Sequence, residues 1–150
     1  MKQLIVKLIL PLSIISFALF TKWWHVFVED VPDTFFTGFP LPYVCKGWHT
    51  SLSLQIFIGE LLFDFLIYFL FWHVMALAIN YLGVQIKIPK LFSKGLWVIS
   101  IFFLTVGIIL TLNPDNIFYS RCTFKMQVKK TGYTIGGYNI TKPNCYNIPK

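Results

Sequence analysis

The longest apolar run of the chain, residues 52–84, reads LSLQIFIGELLFDFLIYFLFWHVMALAINYLGV and decides the fold class. As one α-helix it would be about 50 Å long, whereas the hydrocarbon core of a bilayer is about 30 Å thick. We therefore predict a helix over 52–84 of which about residues 65–84 cross a membrane. This register keeps Glu60 and Asp64 outside the bilayer. In the alternative register, each ionised carboxylate would lie near the middle of the bilayer at a cost of about 2.5–3.5 kcal/mol.

Two further apolar runs flank this helix and complete a three-span topology. Residues 1–20 predict a first transmembrane helix, retained as an uncleaved signal anchor, and residues 96–112 predict the third. The intervening loop, residues 85–95, carries three lysines and no acid, which favours a cytoplasmic position. The N-terminus is then cytoplasmic, whereas residues 21–51 and 113–150 lie on the outer side.

The composition agrees with a membrane protein. Hydrophobic residues make up 56% of the 150 residues and charged residues only 13%, against about 25% charged in soluble domains. This balance excludes an ordinary soluble enzyme, a disordered chain and a small secreted disulfide scaffold. The heavy use of Ile, Phe, Lys and Asn is typical of an AT-rich and most simply bacterial genome, so we expect a bacterial inner membrane with a periplasmic C-terminus.

The tail, residues 113–150, predicts a small β addition to an otherwise all-α membrane fold. Apolar and polar residues alternate over residues 122–128, as in a half-buried strand, and Gly132 follows as a turn signal. A hairpin turning there brings Cys122 close to Cys145, and we predict a disulfide between them in an oxidising compartment. The alternative is that Cys45 pairs with one of these two cysteines.

The outer loop, residues 21–51, is rich in aromatic residues and proline and predicts an ordered cap with short interfacial segments. Such a surface is suited to docking a partner, although a self-contained cap over the helix ends is an equally good interpretation. The residues that we assign as interaction candidates are aromatic, with one arginine from the tail: Trp23, Trp24, Phe39, Tyr43, Trp48 and Arg121.

Ionisable side chains in the long helix predict a second kind of site. Glu60 and Asp64 are four residues apart and share one helix face, which Tyr68 continues. They are candidates for a proton or cation site, or else for structural salt bridges with Arg121, a tail lysine or a basic partner. The structural interpretation is favoured, and His73 is expected to be a hydrogen-bonded packing residue.

The sequence contains no catalytic, phosphate-binding or Cys-x-x-Cys motif, so we predict no enzyme activity, no cofactor and no metal. Nucleic acid and a small-molecule substrate are not expected as partners either. The leading prediction is a non-catalytic accessory or assembly subunit that binds larger integral membrane proteins within the lipid bilayer. The alternative is a proton- or cation-coupled transport component that uses Glu60 and Asp64, and a lipid-modifying membrane enzyme is a weaker third.

Overall fold

The computed structural model describes residues 4–28, 31–47, 53–82, 88–122 and 126–135. The chain combines three helices with a six-stranded sheet, so it is not the all-α protein with a small β addition that the sequence predicted. The helices are α1 (Leu10–Leu19, preceded by a π-helical segment, Ile5–Ile9), α2 (Ile58–Tyr81) and α3 (Lys90–Thr111). The strands are β1 (Phe20–Val28), β2 (Val31–Thr37), β3 (Val44–Lys46), β4 (Leu54–Phe57), β5 (Ile117–Tyr119) and β6 (Met126–Ile135).

The sheet has the strand order β5-β4-β3-β2-β1-β6. All neighbouring strands are antiparallel except β4 and β5, which are parallel and are connected through α2 and α3. The region predicted as a cap with short interfacial segments, residues 21–51, instead supplies most of β1 and all of β2 and β3. Its aromatic and β-branched residues favour strands as well as membrane interfaces, and pairing with distant strands decides between the two.

Helix α2 begins at Ile58, which corrects the helix predicted from residue 52. Residues Leu54–Phe57 form β4, which pairs with β3 on one side and β5 on the other. A continuous apolar run does not distinguish a buried strand from a helix, so only the pairing partners reveal the boundary. Helix α3 likewise begins at Lys90 rather than at residue 96, because the lysines near its start are compatible with a helix.

Strand β6 runs straight through Gly132, so the predicted hairpin turn at this glycine is wrong. Gly132 lies opposite Trp23 of β1 in the strand register. A Cβ atom at Gly132 would lie 2.5 Å from the Trp23 indole, so the glycine makes room for this ring instead of turning the chain. Cys145, the predicted partner of Cys122, lies outside the described residues.

Helix α1 lies between α2 and α3 and packs against both. Pro11 has no N–H to donate to the carbonyl of Lys7 four residues earlier, and the Ser93 hydroxyl of α3 donates to that carbonyl at 3.1 Å. The Ser100 hydroxyl, about two turns further along α3, donates to the carbonyl of Pro11 at 3.0 Å. The irregular start of the first helix is therefore stabilised by polar side chains of α3.

Helices α2 and α3 are long and apolar enough to cross a membrane, each with a mean hydropathy of 2.0. Only 11% and 6% of the residues in their most apolar stretches are buried within the chain. The first helical stretch, Ile5–Leu19, is apolar but would be about 22 Å long, which is short of the hydrocarbon thickness. Two of the three predicted spans thus have the required length, and a third span is not shown by the described residues.

Substituting Gly132→Ala should destabilise the chain by about 1–3 kcal/mol, because the new methyl group overlaps the Trp23 ring. Thermal unfolding of the purified protein in detergent measures the loss. Gly95→Ala in α3 is the matched control, since nothing lies within 4 Å of the added methyl and alanine favours helix. An unchanged melting temperature for Gly132→Ala, or an equal loss in both variants, would contradict this packing.

Candidate functional site

Four polar side chains of α2 form one stripe that faces the rest of the protein. Glu60, Asp64, Tyr68 and Trp72 recur every four residues, so they lie on one side of the helix. Each makes a hydrogen bond to a group outside α2. The sequence predicted the first three members as a shared face, and the structure gives each a separate partner.

Asp64 is completely buried and holds the loop between β2 and β3. Its Oδ1 accepts a hydrogen bond from the Leu41 backbone N–H at 3.0 Å, and the Phe39 backbone amide also bonds to the carboxylate. Gly38 starts this loop with a φ of 154°, and a Cβ there would lie 2.0 Å from the Leu41 carbonyl oxygen. The glycine therefore permits the tight path that directs the loop amides at Asp64.

Glu60 holds a second segment, the residues that follow β5. Its Oε1 accepts a hydrogen bond from the Cys122 backbone N–H at 2.9 Å. The neighbouring Gly59 N–H donates to the Ser120 carbonyl at 3.1 Å. The first two turns of α2 thus bind two separate parts of the sheet region through backbone groups.

The carboxylates are not paired with basic side chains in the described part of the chain. Among the described residues, Glu60 and Asp64 bond to backbone amides rather than to Arg121, because two loops pack directly on this face of α2. Most of the tail lysines named as possible partners lie outside the described residues. The second oxygens, Glu60 Oε2 and Asp64 Oδ2, are buried and accept no hydrogen bond from any described residue. The site therefore has two buried acceptor atoms that no described residue uses.

Aromatic rings surround Asp64. Tyr43 stacks on Phe17 of α1 with ring centroids 5.2 Å apart, and Tyr68 meets the edge of Phe17 at 5.8 Å. Burial, followed by the negative charge of Asp64, raises the pKa of the Tyr43 phenol above its usual range, so the phenol stays neutral. The Tyr68 hydroxyl donates to the carbonyl of Phe20, where α1 passes into β1.

Most of the predicted interaction candidates are used within the chain. Trp24 donates its indole N–H to the Gly38 carbonyl at 2.9 Å, and Phe39 packs against Tyr68 and Tyr133. These contacts favour the self-contained cap over an aromatic docking surface. Of the other candidates, Trp23 covers Gly132, Tyr43 stacks on Phe17, Arg121 is exposed, and Trp48 lies outside the described residues.

His73 lies apart from the carboxylates, in the C-terminal half of α2. Its ring stacks on Phe69 with centroids 6.1 Å apart, and its Nδ1 is buried without a hydrogen-bond partner among the described residues. The predicted hydrogen bond is therefore not present at this nitrogen. His73 and Asn80 border a cavity of about 180 Å³ between α2 and the π-helical segment.

The sequence interpretation missed the backbone amides of Phe39, Leu41 and Cys122 as partners of the carboxylates. Every residue except proline has a backbone N–H, so the residue type does not predict which N–H groups bind a carboxylate. The one available signal is the run Gly38-Phe39-Pro40-Leu41-Pro42, which predicts a tight, fixed loop.

Asp64→Ala should destabilise the protein by about 1–3 kcal/mol, because it removes the buried acceptor and leaves the partly buried Leu41 N–H without this partner. Asp64→Asn keeps an acceptor oxygen in place and should lose less. The measurements are thermal unfolding and hydrogen exchange at the Leu41 amide, which should accelerate in Asp64→Ala and change little in Asp64→Asn. Equal exchange rates in the two variants would contradict the assigned role.

Comparisons of the chain with protein-family models, with curated proteins and with solved structures found no match. Its function is therefore inferred from its own residues and contacts.

Proposed function

We propose that this chain is a membrane protein that acts as a non-catalytic accessory or assembly subunit of a larger membrane complex. The observation that carries the proposal is the outward-facing apolar surface of α2 and α3. Several large apolar side chains on each helix are at least 60% exposed, among them Leu62, Val74, Val98 and Ile109. Two such helices are stable only when lipid or the helices of a partner cover them.

The topology we propose places the sheet in the periplasm of a bacterial inner membrane, with the N-terminus in the cytoplasm and the C-terminus outside. All three helices meet the sheet at one end: α1 passes into β1, β4 passes into α2, and α3 leads to β5. Lys7, Lys90 and Lys94 lie toward the other end, which supports a cytoplasmic position for that end. In this arrangement the Ile5–Leu19 helix is a third, short span.

The use of the polar groups supports a non-catalytic role. Glu60 and Asp64 accept hydrogen bonds from backbone amides, and Tyr68 donates to a backbone carbonyl. These side chains connect α2 to the sheet. From here on, the cap means strands β1–β6 with the loops that connect them, a larger unit than residues 21–51.

The partner surface we propose includes an apolar cleft where the cap meets the outer ends of α2 and α3. The cleft has a volume of about 560 Å³ and is lined mainly by apolar side chains, including Ile58, Leu61, Leu112 and Phe118. Phe118 on β5 is 51% exposed there. Because the cleft joins the helix faces to the cap, a partner that docks in it contacts both.

The subunit proposal predicts that the tagged full-length chain stays in the membrane after an alkaline carbonate wash and copurifies in mild detergent with a fixed set of larger membrane proteins. Phe118→Ala should lower the recovery of those proteins several-fold, because it removes the exposed ring from the cleft. Val128→Ala on β6, also at a side chain that is 51% exposed, is the matched control. Recovery of the wild-type chain as a lone monomer would contradict the proposal.

The second candidate function is proton- or cation-coupled transport, and the buried unpartnered oxygens of Glu60 and Asp64 favour it. It predicts that the double variant Glu60→Gln with Asp64→Asn loses proton or cation flux in reconstituted vesicles while its abundance is unchanged. Both amides keep a hydrogen-bond acceptor, so the loops they hold are retained. Flux equal to that of the wild-type chain, or no flux in either protein, would contradict transport.

A further inference from the structure

Two cysteines meet in the core of the cap. The buried cluster on one face of the sheet consists of Val26, Phe36, Cys45 and Phe57, and Cys122 packs against it. Cys45 on β3 is only 1% exposed, whereas Cys122 is half-buried. Both are thiols in the structure.

The strand order leaves enough chain for Cys122 to reach Cys45. Cys122 comes three residues after β5, a distance of about 10 Å in an extended chain. Two strand spacings, also about 10 Å, separate β5 from β3. The chain that leaves the β5 edge therefore has enough length to bring Cys122 over β3, the strand that carries Cys45.

Bonds to α2 fix Cys122 at this place. Its N–H donates to Glu60 Oε1 at 2.9 Å, and the Ser120 carbonyl accepts the Gly59 N–H at 3.1 Å. On the opposite side, Cys45 is fixed in β3 by its pairing with Gln55, whose side-chain Oε1 lies 3.6 Å from the Cys45 sulfur. Each cysteine is thus held by its own neighbours, Cys45 within the cluster and Cys122 against it.

We propose that Cys45 and Cys122 are joined by a disulfide when the cap is exposed to an oxidising compartment. The bond would link β3 to the segment after β5 and enclose β4, α2, α3 and β5 in one covalent loop. It uses Cys122, so it replaces the Cys122–Cys145 pair that the tail sequence predicted. In a cell it rests on the periplasmic position of the cap proposed above.

The reaction is an exchange with the disulfide of a second molecule, such as a protein oxidant or glutathione disulfide. The half-buried Cys122 thiolate attacks one sulfur of that disulfide, forms a mixed disulfide and releases one thiolate. Cys45 then loses its proton and attacks the Cys122 sulfur, which releases the second thiol. The two cysteines lose two electrons and two protons in total, and the oxidant is reduced to two thiols.

The second step is expected to be the slow one. Burial, assisted by the neighbouring Cys122, raises the pKa of the Cys45 thiol to about 12, so its thiolate is scarce at neutral pH. Opening of the cluster around Cys45 would speed the step. The finished bond is correspondingly shielded from reduction, since one of its sulfurs lies in the core.

The test is to map disulfides in the full-length protein purified in mild detergent and oxidised with glutathione disulfide. Remaining thiols are blocked with N-ethylmaleimide, and digestion with mass spectrometry then identifies linked peptides. We expect a peptide pair that joins Cys45 to Cys122, with Cys145 blocked. A Cys122–Cys145 or Cys45–Cys145 pair, or three blocked cysteines, would overturn the proposal.

A stability measurement on two cysteine variants tests the same pairing without peptide mapping. Adding a reductant should lower the melting temperature of the oxidised Cys145→Ser protein by roughly 5–15 °C, because a bond closing so long a loop is released. The melting temperature of Cys122→Ser should not respond to the reductant. An equal response in both variants would overturn the pairing.

The same mapping on protein blocked inside intact cells separates this inference from the proposed topology. A Cys45–Cys122 pair found in both the purified protein and the cells supports the bond and the periplasmic cap together. A pair that forms only in the purified protein supports the cysteine geometry and contradicts the periplasmic position.

Discussion

Asp64 is buried and has no basic partner among the described residues, so its carboxylate depends on hydrogen bonds, which the loop between β2 and β3 donates. Bonds from amides to a charged acceptor contribute about 1.5–3 kcal/mol each. The requirement is mutual: without Asp64 the loop amides lack an acceptor, and without the loop the carboxylate lacks a donor. The path of the loop in turn sets where β2 ends and β3 begins. One side chain of α2 therefore determines how the centre of the sheet sits on the helices.

The helices depend on the same kind of complementarity. In the π-helical segment, the Leu10 N–H bonds to the Ile5 carbonyl five residues back, and the Trp97 indole N–H donates to the bypassed Val6 carbonyl at 3.1 Å. Lipid supplies no hydrophobic force between membrane helices, so their association depends on close packing and on such polar contacts. The short first helix is held by donors from α3 at its start and by Trp72 of α2, which donates to Ser16, near its end.

The sequence predicted the parts of this structure that local patterns determine. Two long apolar helices follow from their composition, and the shared face of Glu60, Asp64 and Tyr68 follows from four-residue spacing. The partners of the carboxylates were not predictable, because Leu41 and Cys122 are 23 and 62 residues away in sequence and donate backbone amides. Strand β4 was hidden in an apolar run, and Gly132 has the residue type of a turn but the position of a strand residue facing Trp23. Each error concerns a contact between distant parts of the chain.

Two of the connections between the cap and the helices have no linker. Strand β1 begins at the residue after α1 ends, and α2 begins at the residue after β4 ends. Together with the bonds of Glu60 and Asp64, these direct passages couple the orientation of the sheet to that of the helices. Transport would use the second oxygens of Glu60 and Asp64, which accept no hydrogen bond from any described residue. The first oxygens hold the Leu41 and Cys122 amides, and this structural use is the one that a rigid adaptor requires in order to present the cap at a fixed angle to its partners.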